Sequence, residues 1–157
     1  MQKGSRFGNP GQALDKWDKV EVLLVEDNLS DAELTVRALR SIGATQKILR
    51  LSDGVEALDF LFRKARFSDR DQALPKLILL DLKMPRVGGI EFLQRLREDA
   101  ATKNIVVAML TTFAMNQADT QALNVHDYLL KPVNPERLIG LMEQAGLART
   151  ESPGDPG

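Results

Sequence analysis

The sequence predicts an α/β fold in which a parallel sheet is covered by helices on both faces. Short apolar runs alternate with amphipathic stretches along the 157 residues, and this alternation is typical of parallel strands joined by crossover helices. Several of the runs show no polar alternation, which indicates strands that are buried on both sides. Because such crossovers are right-handed, the helices divide between the two faces and form a three-layer α/β/α sandwich.

Five strands and five helices are expected, in strict alternation. The predicted strands are KVEVLLVE (19–26), QKILRL (46–51), KLILL (76–80), NIVVAML (104–110) and HDYLL (126–130). The predicted helices are LSDAELTVRALRSIG (29–43), SDGVEALDFLFRKA (52–65), GGIEFLQRLRED (88–99), MNQADTQALN (115–124) and NPERLIGLMEQAGLA (134–148).

Local signals support the predicted helices. Either Ser52 or Asp53 is expected to cap the second helix, and Pro135 lies early in the last one. Apolar residues at helical spacing predict one shared face in each of two helices, namely Leu34, Ala38 and Ile42 in the first and Ile90, Leu93 and Leu96 in the third.

Composition limits the function classes that fit this chain. Its length is enough for one domain with a sizeable core. The formal net charge is −1 and the pI is about 5.9, so we expect neither nucleic acid nor membrane as a partner. The absence of cysteine excludes disulfides and thiolate chemistry. Without a signal-peptide or membrane-spanning pattern, we expect a cytoplasmic protein with a flexible arm at 1–17, a domain at 18–149 and a flexible tail at 150–157.

Polar side chains follow four of the predicted strands at the point where each strand ends. They are Glu26 and Asp27 after the first strand, Asp81 after the third, Thr111 and Thr112 after the fourth, and Lys131 after the fifth. In parallel α/β sheets, ligands bind outside the carboxyl ends of the strands. We therefore expect these carboxylates, hydroxyls and the ammonium group to converge on one shallow cleft.

Three carboxylates in one cleft repel one another unless a cation lies between them. An oxygen-only ligand set suits a hard ion, and Mg²⁺ prefers a few carboxylates together with water and a substrate oxygen. A carboxylate such as Asp81 beside Mg²⁺ can attack phosphorus and form an aspartyl-phosphate. Lys131 and the metal could neutralise this near-dianion, and Thr111 could donate a hydrogen bond to it. Taken singly, each residue also has an ordinary explanation, since Glu26 and Asp27 could simply favour the start of the following helix.

Four motifs together resemble the response-regulator receiver domain of two-component signalling. They are LLVEDN, LILLDLKMPRVGG, VVAMLTT and YLLKPV, which occur in the family's order and at nearly its spacing. The resemblance spans about residues 20 to 147. It implies a flavodoxin-like, doubly wound sheet of five parallel strands in the order 2-1-3-4-5. It also implies a signalling protein that catalyses only its own phosphotransfer and dephosphorylation.

The resemblance assigns roles residue by residue. It implies that Asp81 is the phosphoacceptor and that Asp27 is a direct Mg²⁺ ligand, with Glu26 acting largely through a bound water. The backbone carbonyl of Lys83 would complete the metal site. Lys131 would bind the phosphoryl group.

Other positions match the family's switch and backbone features. Thr111 resembles the hydroxyl residue that moves toward the phosphoryl group, and Tyr128 resembles the aromatic residue that changes rotamer in response. The bond from Lys131 to Pro132 is cis in the family, so we expect a cis peptide here. The single histidine, His126, matches no phosphohistidine pattern and is expected to be an ordinary residue at the start of the fifth strand.

Several features depart from the commonest receiver pattern. The connection RKARFSDRDQALPK (63–76) is long, as in single-domain receivers that partner with phytochrome-type histidine kinases, and its basic part is expected to be a solvated helix end. Thr112 stands where many receivers have Ala or Gly, so it should narrow the approach to Asp81. The Lys83 side chain could assist phosphoryl binding or lie exposed in the turn. The short stretch between Thr111 and Lys131 predicts a short or shifted fourth helix.

The expected partners follow from the same resemblance. A sensor histidine kinase, of the bacteriophytochrome type, would donate the phosphoryl group, and a homodimer would form through the fourth helix, the fifth strand and the last helix. A haloacid-dehalogenase-type phosphatase needs a second acid two residues after the nucleophile, where this chain has Lys83. The stretch EDNLSD lacks the Gly-rich loop of a nucleotide site. A receiver-like binding module that works without phosphorylation remains the alternative.

Overall fold

A computed structural model of the protein describes residues 17–71, 73–83, 86–112 and 125–150. Its strands are β1 (Val22–Val25), β2 (Ile48–Leu51), β3 (Leu77–Asp81), β4 (Val106–Thr111) and β5 (Asp127–Leu130). Its helices are α1 (Leu29–Ser41), α2 (Gly54–Leu61), α3 (Gly89–Glu98) and α4 (Pro135–Gln144), with a short 3-10 helix at Ala65–Phe67. All strand pairs are parallel and the order is β2-β1-β3-β4-β5, which confirms the predicted topology.

Every residue of β1, β3 and β4 is buried, so these strands carry apolar side chains on both faces of the sheet. Along β1, Val22 and Leu24 face α1 and α4, whereas Leu23 and Val25 face α2 and α3. Each such side chain stabilises the fold by about 1.5–3 kcal/mol when it is fully buried. The prediction of a sheet between two layers of helices, made from the fully apolar runs, is therefore confirmed.

The predicted helix faces are correct only in part. Leu34 is 47% exposed and Ile90 is 46% exposed, so neither belongs to the core. The buried residues of α1 are Ala32, Thr35, Ala38 and Leu39, so the prediction is right for Ala38 and wrong for Leu34. One residue corresponds to a rotation of about 100° around a helix, and this offset from Thr35 turns Leu34 toward solvent.

Among the four α-helices that the structure describes, three have a side-chain cap at the amino end. Asp53 caps α2, because its Oδ1 accepts a hydrogen bond from the Glu56 amide at 2.9 Å. Asn28 caps α1 in the same way. Asn134 caps α4, where Pro135 follows as the first helical residue. Of the two predicted caps for α2, the structure selects Asp53.

The long connection after α2 packs onto the domain through Phe67 and Arg70, whereas the basic residues Arg63, Lys64 and Arg66 are exposed, as expected for a solvated helix end. Phe67 is fully buried and makes edge-to-face contacts with Phe60 and Trp17. Arg70 is also buried, and its guanidinium donates to four backbone carbonyls, those of Phe60, Leu61, Asp71 and Ala73. These contacts attach the connection to the carboxyl end of α2.

Some predicted features lie outside the described residues. These are the helix expected at 115–124, most of the arm at 1–17 and nearly all of the tail at 150–157. Among the described residues, no helix combines the length and the apolar character needed to cross a bilayer.

Candidate functional site

Three carboxylates meet at the carboxyl edge of the sheet. Glu26 and Asp27 follow β1 and Asp81 ends β3, and these strands are hydrogen-bonded neighbours. Each residue offers one carboxylate oxygen such that the three atoms lie within 4.8 Å of one another. Glu26 and Asp81 are buried, whereas Asp27 is exposed. The predicted convergence of the acids is therefore present.

Lys131 extends from the end of β5 into this acidic cluster. Its Nζ lies 2.6 Å from Glu26 Oε1 and 3.3 Å from Asp81 Oδ2. A third carboxylate, Asp31 Oδ2 in the first turn of α1, lies 3.2 Å away. The peptide bond between Lys131 and Pro132 is cis, as the resemblance implied. The ammonium group thus lies within ion-pair distance of three carboxylates.

The electrostatics of the cluster follow from burial and crowding. Burial, reinforced by a hydrogen bond with the Asp81 carboxyl, raises the pKa of Glu26 to about 7, against the opposing effect of Lys131. Burial lowers the pKa of the Lys131 ammonium, but its contacts with Glu26 and Asp81 raise that pKa by more. The cluster therefore holds more negative charge than one lysine can balance.

Backbone amides also hold the carboxylates in place. The Asn28 amide donates to Glu26 Oε2 at 3.2 Å, and the Lys83 amide donates to Asp81 Oδ1 at 3.1 Å. These bonds leave one oxygen of each carboxylate directed toward Lys131. Gly89 makes the close packing beneath Asp81 possible, because a Cβ there would lie 3.0 Å from the Asp81 carbonyl oxygen.

The carboxylates of the cleft offer oxygen atoms as metal ligands, and a hard divalent cation prefers such ligands. A cation among Glu26, Asp27 and Asp81 would favour the ionised form of Glu26, against the burial and the neighbouring Asp81 carboxyl that raise its pKa. The Lys83 side chain is exposed.

The two predicted switch residues border a common cavity. Thr111 is buried at the end of β4, and its carbonyl accepts a hydrogen bond from the Lys131 amide at 2.8 Å. Tyr128 is half-buried in β5. A cavity of about 410 Å³ has both residues in its wall, together with Pro132 and Arg137. Thr112, one residue beyond Thr111, is exposed.

Sequence reasoning missed two polar residues that contact the site. Asp31 binds the Lys131 ammonium, and Arg50 on β2 donates to the backbone carbonyls of Glu26 and Asp27. Neither carries a local signal that separates it from an ordinary surface residue. In the sequence, Asp31 resembles an ordinary acidic residue in the first turn of a helix. Arg50 resembles a solvent-facing residue of an edge strand.

His126 has a structural contact rather than a place in the site. Its Nδ1 accepts a hydrogen bond from the Val107 amide at 3.1 Å, at the amino end of β4. Burial, with a contribution from the charge of Arg97, lowers the pKa of the imidazole. This agrees with the expectation that His126 is an ordinary residue at the start of the fifth strand.

The match to a known protein family covers all five strands of this sheet. The model of the response regulator receiver domain matches residues 22–143, from the start of β1 to the last turn of α4. The chain belongs to this family. Receiver domains are the response-regulator modules of two-component systems, so the family resemblance inferred from the four motifs is confirmed.

Three proteins with similar sequences or structures show which receiver domains this chain resembles. The probable methanogenesis regulatory protein FilR2 of Methanothrix harundinacea (strain 6Ac) is 35% identical over 136 residues, which are 85% of this chain and 86% of FilR2. Response regulator Rcp1 of Synechocystis sp. (strain ATCC 27184 / PCC 6803 / Kazusa) is 33% identical over 78% of this chain and 83% of its own length. The structure of the bacteriophytochrome response regulator AtBRR matches with a TM-score of 0.73 and 34% identity, covering 82% of this chain and 94% of AtBRR.

A solved structure of response regulator Rcp1 is described as its Mn²⁺-bound form. It matches this receiver domain with a TM-score of 0.64 and 31% identity, over 85% of this chain and 98% of that one. The expected similarity to phytochrome-associated response regulators is therefore confirmed. A divalent metal in Rcp1 also agrees with the acidic cluster found here.

Proposed function

We propose that this receiver domain is a phosphorylation switch in which Asp81 accepts a phosphoryl group. The observation that carries the proposal is the group of three carboxylates within 4.8 Å of one another, with the Lys131 ammonium 3.3 Å from Asp81. A fold-only binding module has no need to place a lysine and three acids together, because such a cluster costs stability.

The chemistry is a transfer from phosphohistidine to carboxylate. An Asp81 oxygen bonds to phosphorus as the P–N bond of the donor breaks, and the imidazole nitrogen keeps the bonding electron pair and takes up a proton. Glu26, Asp27, Asp81 and the Lys83 carbonyl would hold Mg²⁺. When bound, Mg²⁺ supplies positive charge that offsets the charge on the transferring group.

Lys131 and Thr111 then act on the product. Asp81 gains a near-dianionic group, and Lys131 lies close enough to pair with it. Thr111 at the end of β4 donates its hydroxyl to a phosphoryl oxygen, and Tyr128 moves within the cavity that it shares with Thr111. The switch is thus a local repacking driven by added charge.

The partner proposed from the chain's relatives is a sensor histidine kinase of the bacteriophytochrome type, with phosphotransfer in the cytoplasm. The output is a change in association through β5, α4 and the segment before β5, as a homodimer. Leu130 in β5 is 53% exposed and offers an apolar contact on this face. Molar mass by light scattering, with and without phosphorylation, tests the dimer, and an unchanged monomer would contradict it.

Intact-mass measurement after incubation with Mg²⁺ and acetyl phosphate tests the central proposal. We expect one phosphoryl adduct on the wild-type protein and none on Asp81→Asn. Asp99→Asn, which changes an acid at the opposite end of α3, is the matched control and should be labelled normally. An unlabelled wild-type protein, under conditions that label another receiver domain, would favour the phosphorylation-independent binding module.

A further inference from the structure

Arg50 lies on β2, the edge strand next to β1, and its side chain reaches across the end of β1. Its Nε donates to the Glu26 carbonyl oxygen at 2.9 Å, and its Nη2 donates to the Asp27 carbonyl oxygen at 3.1 Å. One guanidinium group therefore binds the main chain of both consecutive acids.

The effect on the acids is geometric. The Glu26 amide donates to the Leu51 carbonyl at 3.0 Å, so β2 holds the main chain of Glu26 through both its N–H and its C=O. The second Arg50 bond fixes the peptide plane after Asp27, where the chain has left the sheet and α1 has not begun. Because two fixed peptide planes restrict the backbone angles of Asp27, they also restrict the direction of its carboxylate.

We propose that Arg50 is a positioning residue for the divalent-metal site, acting through the main chain of Glu26 and Asp27. The inference rests on the proposed function, since it assumes that these acids bind a metal. Arg50 supplies order that an exposed carboxylate such as Asp27 lacks by itself. The conformational entropy of the ligand residues is therefore lost when the chain folds, so metal binding does not have to reduce it further.

Charge and position predict opposite results when Arg50 is replaced. A cation close to a metal site repels the metal, so its removal by itself would strengthen Mg²⁺ binding. Loss of the two carbonyl contacts would loosen the acids and weaken binding. The sign of the change in affinity therefore separates a positioning residue from a charge that is merely nearby.

The test measures the Mg²⁺ dissociation constant by calorimetry without any phosphodonor, on the full chain. For Arg50→Lys, which keeps the charge but cannot form the same pair of bonds, we expect affinity to fall by about tenfold. For Arg50→Gln we also expect weaker binding, despite the lost positive charge. Circular dichroism and urea unfolding check that each variant is folded.

Arg97→Lys is the matched control. Arg97 also donates to two backbone carbonyls, those of Lys103 at 2.7 Å and Ile105 at 3.0 Å, near the amino end of β4. The Arg97→Lys variant should lower the urea midpoint of unfolding about as much as Arg50→Lys does, and it should leave the Mg²⁺ affinity unchanged. Equal losses of affinity in both variants would mean a general structural effect and would overturn the proposal.

A second measurement needs no variant. In the wild-type protein, the Arg50 Nε–H should exchange slowly with solvent in NMR spectra, and its resonance should shift as Mg²⁺ is added. Rapid exchange with no shift, wild-type affinity in Arg50→Lys, or tighter binding in Arg50→Gln would each overturn the role of Arg50 alone. A wild-type protein that binds no Mg²⁺ would overturn the proposed metal site as well, so the two failures are distinguishable.

Discussion

Arg70 and Lys131 are both cations that the fold removes largely from solvent, but their surroundings differ. The Arg70 side chain is 1% exposed and donates to four backbone carbonyls, with one carboxylate, Asp71, at 3.8 Å. The Lys131 side chain is 10% exposed and lies within 3.3 Å of three carboxylates. One cation is held by fixed neutral dipoles, and the other by charges that can titrate or bind a metal.

The two surroundings shift the two pKa values in opposite directions. Burial lowers the pKa of Arg70, with only partial compensation from Asp71. Burial also lowers the pKa of Lys131, but Glu26 and Asp81 raise it above its ordinary value. A cation among carbonyls stabilises one arrangement of the chain, because the carbonyls cannot change their charge. A cation among acids takes part in an equilibrium that protons, metal or a phosphoryl group can shift.

The largest effect is expected from Arg70→Met. It leaves the Leu61 carbonyl buried without its donor, and it removes one donor from the Phe60 carbonyl, which also accepts from the Arg63 amide, so the free energy of unfolding should fall by about 4 kcal/mol. Urea unfolding measures the loss. Added Mg²⁺ should not restore it. Recovery on adding Mg²⁺ would contradict this and would show that the Arg70 region and the acidic cluster are coupled.

A smaller change should follow from pH in the metal-free protein. The pKa of Glu26 rises from 4.5 to about 7 on folding, so the folded state binds a proton more tightly than the unfolded state. Stability is therefore lost as pH rises from about 4.5 to 7, by up to about 3 kcal/mol. Glu26→Gln should remove this slope, whereas Arg70→Met should keep it. Urea unfolding at several pH values checks both, and an unchanged slope in Glu26→Gln would contradict the assignment.

Lys131→Met should cost less, about 2 kcal/mol in the absence of metal, because the acids left behind can protonate. Saturating Mg²⁺ should restore most of the loss, since the metal replaces the missing positive charge. Thermal unfolding with and without Mg²⁺ gives both values. If Mg²⁺ does not reduce the loss, Lys131 stabilises the fold through fixed contacts as Arg70 does, and its positive charge is not what the acidic cluster needs.

The smallest effect concerns the approach to the acidic cluster. Thr112→Ala removes bulk beside Thr111, so labelling by acetyl phosphate and loss of the adduct should both become about two- to threefold faster, a barrier change below about 1 kcal/mol. Intact mass followed over time measures both rates. If only one rate changes, Thr112 does more than restrict access.

Much of the site could be predicted because strand ends are a local property of the sequence. Runs of apolar residues located the strands, and parallel pairing then brought Glu26, Asp81 and Lys131 to one edge of the sheet. The same reasoning failed where a side chain crosses between elements. Arg70 resembles an ordinary residue of a polar loop, and its burial depends on four backbone carbonyls that only the folded chain brings together.

By itself, the sequence determined the order of the elements, the layers and the residue types at each strand end, because these depend on periodicity and on near neighbours in the chain. The tertiary structure alone decided which groups surround each cation. Lys131 meets Asp31 across 100 residues, and Arg50 meets Glu26 across 24. Such contacts depend on distances between packed elements, and no local pattern of residues encodes those distances.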